Sequence, residues 1–293
     1  MSFWLALSQP ITPFLYKLFN HIANVGIWPA DWKISRVTAL FKNKGNRDDI
    51  RNYRPISSIC TISRILEKCV NSLLLSKLET TISVHQHGFV RNRSTHSNLL
   101  NFYFKVFKRI DCGNAVDVIT IDMNKAFDQV NHSILLEKLK NSAISSKFLN
   151  LLNSFLSNRK QMVCYEGHLS DLSEVPSGVP QGSVLSPLLF AVYINDLLNK
   201  PFANSIVCYA DDIKLWGPPS ESLNSDLRII SEWMDANYMS VNSDKCETIH
   251  LGKNNPLKTY LYKNSMIKVV LEFRDLGIKV DNSLTFHSHA RSI

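Results

Sequence analysis

The chain has 293 residues and a formal net charge of +8; 45% of its residues are hydrophobic and 20% are charged. This composition is typical of a globular protein with ample length for a core, and it excludes a disordered or fibrous chain. Six cysteines without a Cys-x-x-Cys pair indicate neither a zinc knuckle nor a disulfide framework, which fits an intracellular compartment.

Apolar spacing predicts the elements of the N-terminal half. The apolar stretch at residues 3–7 has no basic flank and two prolines follow it, so we expect neither a signal peptide nor a membrane span. Thr12-Pro13 predicts a helix N-terminus, and the apolar stripe beyond it ends at Gly26. The other predicted elements are a strand at 35–41, a helix after Pro55 through 62–73, a strand at 116–122 and a helix containing 134–139.

The C-terminal half continues the mixture of strands and helices. Ser186-Pro187 repeats the signal of a cap followed by proline, and apolar spacing at 223–233 predicts a further helix. Short strands are predicted at 248–251 and 266–273. Strands interspersed with helices, without regular βαβ alternation, predict an α+β domain. The sequence has no repeat or linker, so we expect no internal boundary between separately folding domains.

Positive charge is concentrated in two stretches. Residues 33–54 and residues 88–110 each carry a net charge of +5, so the rest of the chain is slightly acidic. This concentration of charge suggests a partner that bears phosphates. Before the motifs are considered, a solvated basic face explains it about equally well.

An acidic hairpin is the most informative feature. Between two short runs rich in β-branched and aromatic residues, Asp211 and Asp212 are predicted at the tip of a hairpin spanning 206–216. Aspartates are common in turns, so this pair alone favours a polar turn. Asp122, however, ends another predicted strand upstream. Carboxylates at two strand ends, once together, make a site for two divalent cations about 4 Å apart.

Two further motifs are weak when read singly. In one of them Phe127 follows Asp122 by five residues, where the strand is expected to give way to a helix. The other is a loop at Gly178–Pro187, punctuated by glycine and proline, that opens a helix. Loops of this kind let backbone groups approach a nucleotide closely.

Taken together and in this order, the motifs resemble the reverse transcriptase domain of non-LTR retrotransposons, most closely the Jockey/CR1-like lineages. The resemblance extends from about Trp28 to about His289. It rests on Trp32-Lys33, Asn52–Ser57, His87–Phe89, Arg93–Thr95, the motif at Asp122, the loop Gly178–Pro187, Tyr209–Asp212 and Phe273–Gly277.

The resemblance implies a right-hand polymerase fold with fingers and palm. It also implies RNA-directed DNA synthesis, with an RNA template, a DNA primer and dNTPs as partners and with no membrane partner. Asp122, Asp211 and Asp212 match the catalytic metal ligands, which would hold two Mg²⁺ ions, with Mn²⁺ as an alternative. Protein partners are not readable from the sequence.

Nucleotide-binding roles follow from the same resemblance. Phe127 matches the residue under the sugar that excludes a ribose 2′-hydroxyl, although a core aromatic is a competing interpretation. Gln181 and Gly182 match the loop that packs against the incoming nucleotide, and Arg54 matches the arginine that clamps the triphosphate. Lys245 matches a lysine proposed to protonate pyrophosphate.

Nucleic-acid contacts are assigned to basic residues of the two charged stretches. The sequence does not decide which of Lys42 and Lys44 helps to bind the triphosphate. The residues predicted to contact nucleic acid are Lys42, Lys44, Arg91, Arg93 and Lys105.

The predicted domains are an N-terminal helical extension at 1–27, the reverse transcriptase domain at 28–280 and the start of a truncated thumb at 281–293. The resemblance leads us to expect that this chain is a fragment without an endonuclease or a complete thumb. It also leads us to expect that the protein acts in the nucleus. Two alternatives stay open, an inactive element remnant that at most binds nucleic acid and, less favoured, an RNA-copying RNA polymerase.

Overall fold

The computed structural model of the chain describes residues 3–43, 45–142 and 144–293. These residues form helices and strands in irregular order, so the predicted α+β class is confirmed. The helices are α1 (Phe3–Val25), α2 (Thr61–Leu78), α3 (Thr95–Asp111), α4 (His132–Asn141), α5 (Ser146–Leu156), α6 (Ser186–Leu198), α7 (Ser222–Ala236) and α8 (His287–Ala290).

The strands are short, and most pair in antiparallel fashion. They are β1 (Ile34–Phe41), β2 (Tyr53–Ser58), β3 (Val116–Asp122), β4 (Arg159–Tyr165), β5 (His168–Leu169), β6 (Ser173–Val175), β7 (Ser205–Tyr209), β8 (Asp212–Gly217), β9 (Glu247–Leu251), β10 (Leu261–Tyr262), β11 (Ser265–Met266), β12 (Lys268–Val269), β13 (Glu272–Asp275) and β14 (Ile278–Asp281). Within the described ranges, no helix combines the length and apolar character needed to cross a membrane.

The chain divides into two compact units, each assembled from two stretches of sequence. The first unit contains residues up to 78 and 131–189, and the second contains 79–130 and 190–293. Because the chain passes between the units repeatedly, no linker marks them in the sequence. The predicted domain bounds 1–27, 28–280 and 281–293 stay predictions.

The first unit is built on a sheet in the order β2-β1-β4-β5, with β6 also paired to β4. Strand β1 runs antiparallel to β2 and parallel to β4. Trp28 is buried beneath the helices, where its ring meets Phe155 edge-on at 5.0 Å and its indole N–H donates to Ser63 at 3.2 Å. Burial of a ring this large removes a large apolar area from water and so stabilises the core of this unit.

The second unit is built on a sheet in the order β12-β9-β3-β8-β7. Central strand β3 is buried along almost its whole length, because β8 and β9 flank it and helices cover the sheet. Val116 and Val118 pack with Phe102 of α3 and Trp216 of β8 in one apolar cluster. This core fixes the position of Asp122 at the C-terminal end of β3.

Two sequence predictions about elements were wrong. Helix α1 does not begin at Pro13 but runs from Phe3 through Pro10 and Pro13. Proline has a helix-compatible φ, so a helix can continue past it with the loss of local hydrogen bonds. The predicted strand at 266–273 is three strands, because β11, β12 and β13 pair with three different partners.

Candidate active site

Three carboxylates meet at one end of the sheet of the second unit. Asp122 ends β3 and Asp212 begins β8, and the two residues face each other in the antiparallel register. Residues directly opposite in such a pair have Cβ atoms about 4.5–5.5 Å apart. Asp211 lies in the turn between β7 and β8, which is closed by the pairing of Tyr209 with Asp212. The structure therefore brings together all three predicted metal ligands.

The pKa values of two of these three carboxyl groups are raised. Partial removal from water, followed by the negative charges of Asp211 and Asp122, raises the pKa of Asp212 to about 6, although its side chain still reaches solvent. Desolvation is also the main cause that raises the pKa of Asp211, with a further contribution from Asp122. Crowded carboxylates of this kind are stabilised by an added cation.

Lys245 supplies a positive charge to the cluster. Its Nζ atom lies 2.9 Å from Oδ2 of Asp122, and both side chains are partly exposed. The segment before Lys245 is held against the end of β3, because the Asn242 N–H donates to the Asp122 carbonyl at 2.8 Å. The predicted role of Lys245 as a proton donor stays a prediction, but the structure places the ammonium group at the carboxylates.

The three aspartates suit a hard divalent cation because their ligand atoms are oxygens, and not because a metal site is already formed. In the part of the chain that the structure describes, no group of three or more His, Cys, Asp or Glu side chains is already arranged so that it could hold a metal ion. Asp122, Asp211 and Asp212 nevertheless offer carboxylate oxygens, the ligands that Mg²⁺ and Mn²⁺ favour, and leave coordination positions for a substrate.

Phe127 lies in an aromatic group beside this end of the sheet. Its ring stacks on Phe190 with centroids 4.9 Å apart and meets the edge of Phe89 at 6.2 Å. The side chain is only half-buried. Phe127 is therefore packed as a core aromatic would be, and part of its surface stays exposed.

The Gly178–Pro187 loop is pinned within the first unit. The Ser57 N–H of β2 donates to the Gln181 carbonyl at 2.7 Å. Gly182 has a φ of +119°, and a Cβ there would lie 2.5 Å from the Ser57 carbonyl oxygen. A side chain is excluded by both the conformation and the contact. The predicted residues Gln181 and Gly182 are thus fixed directly against β2.

Glu67 of α2 anchors the same loop, and sequence reasoning missed it. Its carboxylate is fully buried and accepts hydrogen bonds from Ser183 Oγ at 2.5 Å and from the Val184 N–H at 2.7 Å. A third bond comes from the Leu185 N–H at 3.4 Å, just before α6 begins. The sequence did contain a signal for this role. Glu67 follows Leu66 on the apolar face of the predicted helix, and a carboxylate buried there needs hydrogen-bond partners.

The basic side chains of the first unit differ in their surroundings. Arg54 is exposed on β2, opposite Leu40 of β1 and three residues from Ser57, roughly 10 Å along the strand. Lys42 donates from Nζ to the Arg51 carbonyl at 2.7 Å and so supports its own loop. Lys44 lies outside the described residues.

The predicted nucleic-acid contacts of the second unit separate into two kinds. Arg91 and Lys105 are exposed. Arg93, in contrast, donates from Nη1 to the carbonyls of Ser83 at 2.5 Å and Gln86 at 2.6 Å. Arg93 therefore supports the local backbone, and its contact with nucleic acid stays a prediction.

Comparisons with known proteins identify the family. The family described as "Reverse transcriptase (RNA-dependent DNA polymerase)" matches residues 42–280. The chain is 28% identical to the RNA-directed DNA polymerase from mobile element jockey of Drosophila funebris, over 96% of this chain and 32% of that protein. It is also 28% identical to the probable RNA-directed DNA polymerase from transposon BS of Drosophila melanogaster, over 97% of this chain and 33% of that protein. The chain thus spans about a third of the length of these relatives.

Solved structures agree at the level of fold. An apo telomerase from Candida tropicalis, truncated from its C-terminal domain, matches with a TM-score of 0.61 and 14% identity over 94% of this chain and 59% of that one. Telomerase of the same organism with a fragment of telomeric RNA matches with a TM-score of 0.62 and 14% identity, over 95% and 49%. These matches are consistent with the predicted right-hand polymerase fold. With a family match over most of its length and relatives among non-LTR retrotransposon polymerases, the chain belongs to the reverse transcriptase family.

Proposed function

We propose that this chain catalyses RNA-directed DNA synthesis, adding dNTPs to the 3′-hydroxyl of a DNA primer on an RNA template. The observation that carries the proposal is the register of the second sheet, which sets Asp122 opposite Asp212 with Asp211 in the adjoining turn. Carboxylates at adjacent strand ends suit in-line transfer of a nucleotidyl group. Members of this family generally use divalent metal ions.

Asp122, Asp211 and Asp212 would hold two Mg²⁺ ions, with Mn²⁺ as an alternative. When bound, the two ions would supply activation of the primer hydroxyl and neutralisation of charge on the triphosphate. The raised pKa values of Asp211 and Asp212 support this role, because desolvation and the neighbouring carboxylates disfavour their charged forms, which a bound cation would stabilise. Lys245 would donate a proton to the leaving pyrophosphate.

Selection and binding of the nucleotide are assigned to separate side chains. Arg54 would donate its planar fork to the triphosphate oxygens, and the backbone at Gln181 and Gly182 would limit the nucleotide pocket. Phe127 would exclude a 2′-hydroxyl. We also propose that the protein acts in the nucleus, where an element copies itself into DNA.

The test is incorporation of a single dNTP on poly(A)/oligo(dT) by the 293-residue chain and its variants. Asp122→Asn and Asp211→Asn remove charge with little change in volume, so they should fold and lose at least a hundredfold in rate. Asp235→Asn is the matched control, because Asp235 is an exposed aspartate that also pairs with a lysine, Lys263, at 2.6 Å.

Near-parental incorporation by Asp122→Asn or Asp211→Asn would refute the assignment of the catalytic residues. A parent chain that binds the template–primer but incorporates nothing in Mg²⁺ or Mn²⁺ would instead support the alternative of an inactive remnant. Retained activity in Asp235→Asn shows that the loss is specific to the cluster.

A further inference from the structure

We propose that Gln86 is a positioning residue that holds the turn carrying Asp211 in its reactive conformation; this inference rests on the proposed function. Gln86 precedes α3 in sequence and lies far from the acidic hairpin along the chain. Its side chain is nevertheless completely buried against the residue that precedes Asp211.

A single amide group binds the backbone of Ala210 on both sides. Gln86 Oε1 accepts from the Ala210 N–H at 3.0 Å, and Gln86 Nε2 donates to the Ala210 carbonyl at 3.3 Å. The same Oε1 also accepts from the Gly88 N–H at 2.7 Å. The Ala210 carbonyl has a second donor, the Cys208 thiol at 2.8 Å. The acceptor of the Ala210 N–H is Gln86 Oε1.

This bracing matters because Ala210 is in an unfavourable conformation. Its φ is +55°, in the left-handed region that residues other than glycine and asparagine rarely adopt. Ala210 is also buried, so water is a poor substitute for a lost partner. The surrounding contacts must therefore fix the turn, and the direction of Asp211 depends on the backbone angles of Ala210.

The segment that carries Gln86 is itself held firmly. Its backbone pairs with β7, because the His87 N–H donates to the Cys208 carbonyl and the Cys208 N–H donates to the His85 carbonyl, each at 2.8 Å. Arg93 donates to the carbonyl of Gln86 at 2.6 Å. These bonds limit the movement of Gln86, so its amide imposes a position on the turn rather than following it.

Gly88 shows how closely the segment and the turn approach. A Cβ at Gly88 would lie 2.3 Å from the Ala210 nitrogen and 2.9 Å from its Cα. Glutamine suits the position beside this contact because it offers an acceptor and a donor without charge. A glutamate would keep the acceptor but would add a negative charge next to Asp211, and a methionine would fill the space without either hydrogen bond.

The experiment compares Gln86→Met with the parent chain and with a control, Gln129→Met. Gln129 is the matched amide, because its Oε1 accepts from the Ser240 N–H at 2.7 Å and its Nε2 donates to Ser240 Oγ at 2.8 Å. Backbone amide exchange in a peptide covering residues 206–213 is measured first, without substrates. We expect at least tenfold faster exchange at Ala210 in Gln86→Met and a change below threefold in Gln129→Met.

Kinetics give the second readout. Gln86→Met should lower kcat at least tenfold, with the KM for dNTP and the Kd for template–primer within threefold of the parent values. Adding Ala210→Gly should restore kcat at least threefold, because glycine adopts the left-handed conformation without a brace. A residue with only a general structural role would not be rescued in this way.

Unchanged exchange at Ala210 in Gln86→Met would overturn the proposal, as would an unchanged kcat in an active enzyme. If Gln86→Met does not fold, Gln86→Asn, which is one methylene too short to reach Ala210, is measured against the same expectations. An inactive parent chain would refute the proposed function, whereas the exchange comparison would still decide whether Gln86 braces the turn.

Discussion

At the scale of single residues, Phe127 is the side chain that we propose distinguishes a DNA polymerase from an RNA polymerase. The ring stacks on Phe190 and is only half-buried. We expect Phe127→Val to admit ribonucleotides while largely keeping dNTP use, because the shorter side chain removes the overlap with a 2′-hydroxyl. The measurement is the ratio of kcat/KM for dTTP and UTP on a poly(A) template.

The control for Phe127→Val is Phe89→Val, which removes a neighbouring ring of the same aromatic group. If only packing mattered, the two variants would lose thermal stability and keep the parental preference for dTTP. An unchanged ratio in Phe127→Val would leave Phe127 as a core aromatic and reopen the RNA polymerase interpretation.

Sequence reasoning was sufficient for the residues that carry charge at strand ends. The positions of Asp122 and Asp211 could be predicted because Asp122 ends the buried strand β3 and Asp211 lies just beyond β7, and such strands are readable from their apolar runs. Glu67 and Gln86 could not be predicted in the same way. Their roles depend on contacts with residues more than 100 positions away, which no local pattern records.

At the scale of elements, Glu67 connects helix α2 to the loop that carries Gln181. We expect Glu67→Ala to destabilise the fold by about 2–4 kcal/mol, because it leaves the Ser183 hydroxyl and the Val184 N–H without their buried acceptor. The loosened loop should also raise the KM for dNTP by about tenfold, a cost of about 1.4 kcal/mol in binding.

Urea denaturation and steady-state kinetics test the role of Glu67. Glu174→Ala, an exposed glutamate on β6 of the same unit, should change neither quantity measurably. A Glu67→Ala protein with parental stability and parental KM would show that the loop is held by its other contacts, such as the bond from Ser57.

The segment before α3 makes stability depend on pH through His87. Burial, followed by the charge of Arg93, lowers the pKa of His87 to about 4. Unfolded histidine titrates near pH 6.5, so between about pH 6.5 and 4 the unfolded chain binds a proton that the folded chain does not. The stabilisation is therefore complete above about pH 6.5 and is lost as the pH falls, on the order of 2–3 kcal/mol at pH 4.

His87→Asn should flatten this pH dependence, because asparagine does not titrate. The free energy of unfolding is measured in urea at pH 7.5 and pH 5, with the exposed His168→Asn as the control. An equally steep loss of stability in the parent and in His87→Asn would mean that other groups govern it.

Element boundaries were predictable where one pattern dominated. Strand β3 matches the predicted residues 116–122, and α7 contains the predicted apolar positions. Helix α3 was missed although its signals were readable: Leu99, Phe102, Tyr103 and Val106 recur at helical spacing, and Ser94 and Ser97 form a capping box at its start. The predicted strand at 266–273 failed because pairing with separate partners, rather than local propensity, divides it.

At the scale of the whole molecule, the net charge of +8 reflects the two basic stretches. We expect that Arg91→Gln with Lys105→Gln will weaken binding of a template–primer duplex and reduce the slope of log affinity against log salt by about 1.5, because two fewer counter-ions are released. Arg93 is left unchanged, because its bonds to Ser83 and Gln86 support the fold.

The matched control is Lys253→Gln with Lys258→Gln, which removes the same charge from exposed lysines outside both basic stretches. A parental slope in the Arg91 and Lys105 variant would remove these residues from the interface. An equal reduction in both double variants would mean that net charge, rather than a defined surface, governs binding.

We propose that the three carboxylates of the second sheet form a divalent-cation site. Calorimetric titration of Mn²⁺ into the chain at pH 7.5, without nucleotide or nucleic acid, tests it most directly. We expect measurable binding by the parent and by Asp235→Asn, and at least tenfold weaker binding by Asp122→Asn and by Asp211→Asn. Equal Mn²⁺ affinity in the parent and in both cluster variants would contradict the claim.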